Sequence, residues 1–90
     1  MIYFNKFDTA KGRMVALCDE ELMGRHLKEG KFEIDLRQYG GFYKGVLMRE
    51  EDARSQIDHK VYSANVVGDR SVNVSIGFPY AYTLGMYRLV

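Results

Sequence analysis

Ninety residues, of which 47% are apolar and 28% charged, describe one globular domain rather than a disordered chain. The formal net charge of +1 excludes a protein that coats nucleic acid through a large overall basic excess, although it is compatible with a local basic patch. The single cysteine, Cys18, excludes an internal disulfide and is typical of a reducing compartment. We therefore expect residues 1–90 to form a single domain.

The sequence has neither the pattern of a secretion signal nor that of a membrane span. Met1–Lys6 lacks the charged-then-apolar order of a signal peptide, and each apolar run is shorter than the ~20 residues needed to cross a bilayer. We expect a cytoplasmic protein with no membrane partner.

The first third of the chain predicts a β-hairpin followed by a helical turn. Met1–Phe7 is rich in β-branched and aromatic residues, Arg13–Cys18 is a second apolar run, and a glycine-containing turn separates the two. The second run shows little alternation, which is typical of a strand buried on both faces. Asp19 is then placed to cap a short helical turn that begins with two glutamates.

The middle of the chain predicts a strand and a glycine-rich turn. Phe32–Arg37 alternates strictly between apolar and charged residues, which predicts a half-buried strand with Phe32, Ile34 and Leu36 inward. Gln38–Gly45 follows, and its adjacent glycines favour a turn or a close approach of another group.

The last third of the chain predicts one helix and two segments with less distinct patterns. Acidic residues precede basic ones from about Glu50 to Lys60, which matches the dipole of a single helix with Ala53, Ile57 and Val61 as its buried stripe. Ser71–Ile76 alternates like a strand, yet Val67, Val72 and Ile76 also have near-helical spacing; composition favours the strand. The residues from Tyr82 to the end read as a last strand.

Three separated segments resemble an archaeal family, domain of unknown function 424. These segments are residues 15–24 (Val-Ala-Leu-Cys-Asp-Glu-Glu-Leu-Met-Gly), residues 39–41 (Tyr-Gly-Gly) and residues 63–70 (Ser-Ala-Asn-Val-Val-Gly-Asp-Arg). The resemblance implies a two-layer α/β sandwich and a helix over roughly residues 68–77. We accordingly expect an α+β fold with an antiparallel-rich sheet of about four strands and two or three helices on one face.

The chain departs from the family pattern near its end. The family has a longer segment before a Gly-x-Pro-His-Ala motif, whereas Gly77 here runs directly into Phe78-Pro79-Tyr80-Ala81. A true deletion and an omitted loop both explain this, and we hypothesise an omitted loop between Gly77 and Phe78. It predicts a Cα–Cα distance far above the ~3.8 Å of one peptide step.

The residues with catalytic or metal-binding chemistry are few and scattered. Cys18 precedes a helix start, which favours a reactive thiol, but three acids follow it and favour a buried structural role. One cysteine and two isolated histidines do not form the clustered ligand set of a zinc site, and no phosphate-loop or nucleophile-elbow motif is present. We expect no metal and no cofactor.

Two segments are candidate binding surfaces. In the first, Tyr39, Tyr43 and Lys44 flank Gly40 and Gly41, so that the rings could stack on bases while the lysine meets a phosphate. The alternative is a glycine turn whose aromatic side chains fill the core.

The second candidate surface is made of Asn65, Gly68, Asp69 and Arg70 at a helix entrance, where free backbone amides could bind an anion. The alternative is that Asp69 caps the helix and Arg70 is an ordinary surface charge.

These observations favour a non-enzymatic binding module. The family resemblance implies an association with the translation machinery, so we expect an accessory of an RNA or translation-related assembly, with RNA or a ribonucleoprotein as partner. The second hypothesis is a small enzyme, or a small-anion-binding protein, whose site lies at the interface of a homodimer.

Overall fold

The computed structural model describes residues 1–58, 60–75 and 81–82. The strands are β1 (Ile2–Thr9), β2 (Gly12–Asp19), β3 (His26–Glu29), β4 (Phe32–Asp35), β5 (Val46–Met48), β6 (Val61–Val67) and β7 (Ala81–Tyr82). The helices are α1 (Leu36–Tyr43), α2 (Glu50–Gln56) and α3 (Asp69–Ser75), with a single 3-10 turn at Glu20–Leu22.

One mixed sheet organises the molecule. Its strand order is β5-β1-β2-β6-β7, and β3 pairs with β4 in a separate hairpin. β1 is antiparallel to β2 and to β5, whereas β6 is parallel to β2 and to β7. Together with the antiparallel β3–β4 pair, this confirms the expected α+β fold in which antiparallel pairing predominates.

The predicted N-terminal hairpin is confirmed. β1 and β2 pair along their whole length, from Ile2 opposite Asp19 to Thr9 opposite Gly12. Residues 15–18 of β2 are completely inaccessible to solvent, as the lack of alternation in that run predicts. β2 is therefore the central strand, with apolar cover on both of its faces.

The helical face of the sheet is covered by α2 and α3. Its buried cluster consists of Ile2, Phe4, Val15, Leu17, Ala53, Val61, Ala64, Val66, Val72 and Val74. The three residues of the predicted α2 stripe all contact this cluster, because Ala53 and Val61 belong to it and Ile57 packs against it. They do not form one helical stripe, since only Ala53 lies in α2, Ile57 caps its end and Val61 is in β6. The helix itself is shorter than predicted and ends at Gln56.

The opposite face of the sheet is covered by the β3–β4 hairpin and α1, which together we call the hairpin layer. Its buried cluster consists of Ala16, Cys18, Leu22, Leu27, Leu36, Tyr43 and Val67. Ile34 packs against this cluster, as predicted, whereas the side chain of Phe32 lies outside the described part of the structure. Adjacent residues of β2 alternate between the two clusters, since successive side chains of a strand point to opposite faces.

The predicted strand at Phe32–Arg37 is wrong beyond Asp35, where α1 begins. The Asp35 carboxylate accepts a hydrogen bond from the backbone N–H of Arg37 at 3.0 Å and so caps the helix. Leu36 is buried as predicted, but from the first turn of a helix. Gly40 and Gly41 lie within this helix rather than in a turn.

The ambiguous segment after Gly68 is helical. α3 covers Asp69–Ser75, which confirms the expectation from the family resemblance against the strand suggested by composition. The hypothesis of an omitted loop after Gly77 and the last strand predicted beyond Tyr82 lie outside the described residues.

Gly45 and Gly41 provide a matched test of backbone packing. A Cβ atom on Gly45 would overlap the carbonyl oxygen of Phe4 and lie 2.9 Å from the Cα of Asn5, whereas one on Gly41 would meet open space. We expect Gly45→Ala to lower the free energy of unfolding by about 1–3 kcal/mol through overpacking. Gly41→Ala, in an exposed helical position, is expected to raise it by about 0.5–1 kcal/mol.

Urea denaturation followed by far-ultraviolet circular dichroism measures both variants. Equal stability of Gly45→Ala and the unsubstituted protein would contradict the close approach of residue 45 to β1.

Candidate functional site

The entrance of α3 is occupied by the side chain of Asp19, at the end of β2. One carboxylate oxygen accepts hydrogen bonds from the backbone N–H and the hydroxyl of Ser71, both at 2.8 Å. The other oxygen accepts from the backbone N–H of Arg70 at 3.2 Å. Asp19 is only 3% exposed, so the first-turn amides that were expected to receive an external anion bind an internal carboxylate instead.

Gly68 allows this contact between two distant parts of the chain. Its φ of +104° lies in a region that favours glycine, and a Cβ atom here would overlap the Asp19 carboxyl group. The sequence predicted that Asp19 would cap the turn that follows it, and that prediction is wrong. The Asp19 side chain accepts no hydrogen bond from the Glu20–Leu22 turn and caps α3 instead.

The remaining residues of this candidate surface do not converge on one point. The guanidinium of Arg70 donates to a carboxylate oxygen of Glu21 at 2.9 Å, and both side chains are about half exposed. Ala64 and Val66 of β6 both belong to the buried cluster of the helical face, and Asn65 lies between them. Asn65 is half-buried and is not part of the α3 entrance.

A recess of about 280 Å³ lies beside the α3 entrance, but acidic side chains dominate it. Its lining residues are Asp19, Glu21, Leu22, Asp69 and Arg70. Three carboxylates around one guanidinium do not favour an anionic ligand at this place.

The first candidate surface, residues 39–44, is part of α1 and of the linker that follows it. Tyr43 is 5% exposed and fills the core, as the alternative interpretation stated, and burial raises the pKa of its hydroxyl to about 12. Gly40 is buried, whereas Gly41 and Lys44 are exposed. The side chain of Tyr39 lies outside the described part of the structure.

Phe42, in the same helix, forms an aromatic contact that the sequence did not predict. Its ring stacks on Phe7 of β1 with a centroid distance of 5.0 Å and an interplanar angle of 12°, and both side chains are half-buried. The sequence carries no local signal for this pair, because the two residues lie in distant elements of the chain.

A polar network on the hairpin layer was also not predicted from the sequence. Arg37 forms a bidentate contact with Asp35 at 2.9 and 3.0 Å, which lowers the pKa of the Asp35 carboxyl to about 2. The same guanidinium lies 3.3 Å from Nδ1 of His26, whose Nε2 is 2.6 Å from Glu33. Since a guanidinium can only donate, Nδ1 accepts and Nε2–H donates to Glu33.

Cys18 has the environment of a structural cysteine. Its side chain is fully buried, and its thiol donates to the carbonyl oxygen of Asp19 at 3.4 Å. Burial, with the nearby charges of Asp19 and Glu21, raises the pKa of the thiol to about 12. A thiol of this kind is a poor nucleophile at neutral pH.

Two of the three acidic residues at the start of α2 are paired within the chain. Arg49 contacts Glu51 at 3.0 Å and Asp52 at 3.2 Å. Within residues 1–58, 60–75 and 81–82, no group of three or more His, Cys, Asp and Glu side chains is arranged to hold a metal ion. In the same part of the chain, no helix is long and apolar enough to cross a membrane.

Comparison with known proteins identifies the family. A family model described as protein of unknown function (DUF424) matches residues 7–81. The chain belongs to DUF424. None of the curated proteins matches it.

A solved structure is similar to this DUF424 chain along most of its length. The crystal structure of an uncharacterized conserved protein from Methanopyrus kandleri aligns with a TM-score of 0.67 at 27% sequence identity. The match covers 83% of the present chain and 70% of the Methanopyrus chain.

Two of the three segments that resemble DUF424 meet in the fold. Residues 15–24 contain Asp19, and residues 63–70 contain Gly68 and Arg70, which Asp19 contacts. The part of the sequence that carries the resemblance therefore includes the tie between β2 and α3.

The Asp19 cap is testable by its effect on stability. We expect Asp19→Ala to lower the free energy of unfolding by about 1–3 kcal/mol, because it leaves buried amides of α3 without an acceptor. The matched control is Arg70→Ala, which removes only the exposed pair with Glu21 and is expected to cost less than about 1 kcal/mol. Similar losses of stability for the two variants in urea denaturation would contradict the assignment.

The inertness of Cys18 is testable by alkylation. At pH 8 we expect iodoacetamide to modify the folded protein at least about a hundredfold more slowly than the same protein in denaturing urea, because burial suppresses the thiolate. Mass spectrometry gives both rates, and comparable rates in the two states would indicate an accessible, reactive thiol.

Proposed function

We propose that this DUF424 protein is a non-enzymatic binding module that contacts RNA or a ribonucleoprotein of a translation-related assembly in the cytoplasm. The proposed contact surface is the outer side of the hairpin layer. The observation that carries the proposal is the uneven distribution of charge between the two layers that cover the sheet.

The hairpin layer holds the basic excess of the chain. Residues 25–44 contain five basic side chains, Arg25, Lys28, Lys31, Arg37 and Lys44, and three acidic ones, Glu29, Glu33 and Asp35. In residues 49–75 the balance is reversed, with the basic Arg49, Arg54, Lys60 and Arg70 and the acidic Glu50, Glu51, Asp52, Asp58 and Asp69. These five basic side chains, of which Arg25 and Lys44 flank the hairpin layer, are all exposed.

One acid of the hairpin layer is neutralised by a neighbour, since Asp35 is paired with Arg37. A second acid, Glu33, accepts a hydrogen bond from His26. Among the described side chains, none forms a salt bridge with Lys28 or Lys31, so both ammonium groups are available to phosphates. A near-neutral protein can in this way present a local basic surface.

The stacked Phe7–Phe42 pair adds an aromatic element on the same side of the sheet. Bases of single-stranded RNA stack on partly exposed aromatic rings, and each such contact contributes about 1–3 kcal/mol. The Tyr43 ring is buried, so we propose that Phe42, rather than Tyr43, stacks on a base.

The groups that suggested catalysis or anion binding have structural roles, which favours a binding module over the enzyme hypothesis. Cys18 is buried with a raised pKa, and Asp19 occupies the amides of α3. The small-anion hypothesis for Asn65, Asp69 and Arg70 therefore gains no support from the geometry of that entrance.

Fluorescence anisotropy with a labelled single-stranded RNA, titrated at several salt concentrations, tests the proposal. We expect Lys28→Ala with Lys31→Ala to weaken binding and to reduce the salt slope by about 0.7 for each phosphate that is no longer neutralised. Phe42→Leu keeps an apolar side chain of similar size and is expected to weaken binding while leaving the slope unchanged.

The matched control is Lys11→Ala with Lys60→Ala, which removes two exposed lysines outside the hairpin layer. An equal decrease of affinity in the control would show that only net charge matters. An unsubstituted protein that fails to bind RNA at low salt would contradict RNA as the partner.

A further inference from the structure

The outer edge of β5 carries an apolar surface that the proposed RNA contact does not use. β5 is the edge strand of the sheet, and no described strand pairs with its outer side. Val46 is 62% exposed and Leu47 is 37% exposed, although successive residues of a strand point to opposite faces. An edge with exposed apolar side chains on both faces is a template for pairing with another strand.

We propose that a second copy of this chain pairs with β5 in antiparallel orientation, with the two-fold axis at Leu47. A symmetric dimer of this kind joins the two sheets into one continuous sheet and uses the same residues twice. In this register Val46 faces Met48 of the partner subunit, and the Leu47 residues of the two copies face each other.

The charges that flank β5 support this occupant. Lys44 and Glu50 are both exposed and lie three residues before and three residues after Leu47. Antiparallel pairing about Leu47 brings the start of β5 in one copy to the end of β5 in the other, where α2 begins with Glu50. Lys44 therefore approaches Glu50 of the partner subunit, and each dimer contains this contact twice.

Short edge strands with flanking charges also occur where proteins prevent edge pairing. Protection of that kind places a charge on the edge strand itself, whereas the three residues of β5 are apolar and Lys44 and Glu50, which have opposite signs, lie outside it. The charges that flank β5 in one copy are thus complementary to those that flank β5 in a second copy.

A recess of about 460 Å³ runs beside this edge and is lined by Phe4, Asn5, Lys6, Val46, Met48 and Gln56. Because Val46 contributes to its wall, Met48 of the partner subunit lies at its mouth in the proposed register. An edge of three residues buries little surface, so we expect a weak dimer below the standard interface size of roughly 1,200–2,000 Å².

Sedimentation velocity of the full chain, from about 10 μM to about 1 mM, tests this dimer in the range where small interfaces assemble. We expect a concentration-dependent shift from monomer to dimer. Lys44→Glu alone and Glu50→Lys alone should each weaken the dimer at least about tenfold, because each reverses two attractive pairs. The double variant with both changes should restore it.

Val46→Lys and Lys11→Glu complete the experiment. Val46→Lys places a charge within the proposed interface and is expected to abolish the dimer, and circular dichroism verifies that it folds. Lys11→Glu makes the same charge change as Lys44→Glu at the β1–β2 turn and should leave the dimer intact. The proposal would be overturned by a protein that stays monomeric at the highest concentration. A dimer whose affinity is unchanged by Lys44→Glu and by Val46→Lys would also overturn it. The RNA measurements use other residues, so either proposal can fail alone.

Discussion

The Asp19 carboxylate joins the end of the central strand to the first turn of α3, and the arrangement of the helical face depends on this contact. It is a buried charge, so its three hydrogen bonds offset the cost of removing it from water. It also supplies the acceptor that the first amides of a short helix lack. Gly68 is required at the same point, because any side chain there would occupy the space of the carboxyl group. One polar contact thus fixes where β6 ends, where α3 begins and how α3 meets β2.

The second constraint on the fold is that β2 is buried on both faces. Val15 and Leu17 belong to the buried cluster on the helical face, while Ala16 and Cys18 belong to the buried cluster under the hairpin layer. A chain of this size can bury only a modest core, and placing one strand between two covered faces uses its apolar residues efficiently. This position also explains the inert Cys18 thiol, because a side chain at the centre of two layers has no water to stabilise a thiolate.

The features that depend on local pattern were predictable from the sequence. The β1–β2 hairpin follows from two apolar runs around a turn, and the burial of Ala53 in α2 follows from its place among charged residues. The four-residue spacing of Ala53, Ile57 and Val61 predicted a longer helix than the one that forms, because α2 ends at Gln56 and Val61 begins β6. α1 was missed because two adjacent glycines weaken a helix by about 1 kcal/mol each, and only packing against the sheet offsets that loss. Because the glycines were interpreted as a turn, the neighbouring Tyr39 and Tyr43 were expected to stack on bases.

The features of the candidate site that were missed depend on contacts between distant residues. Asp19 lies 51 and 52 positions from its partners Arg70 and Ser71, and nothing near Asp19 indicates that it would cap a helix so far along the chain. Candidate binding motifs that combine glycine with charged residues are difficult to interpret for this reason. Glycine is required wherever a polar group approaches the backbone closely, whether that group belongs to a ligand or to the protein itself.

The two surfaces proposed for binding lie at different places on the molecule. The hairpin layer covers one face of the sheet, whereas β5 forms its edge, and α1 connects them over a length of about 12 Å. Lys44, at the end of α1, is nearer to the edge, while Lys28 and Lys31 belong to the hairpin. Pairing through β5 would therefore leave the hairpin layer of each copy exposed. Two linked weak surfaces bind an extended partner more tightly than either alone, because the second contact becomes intramolecular. If both proposals hold, a small module with a weak dimer edge and a modest basic face would gain affinity in this way.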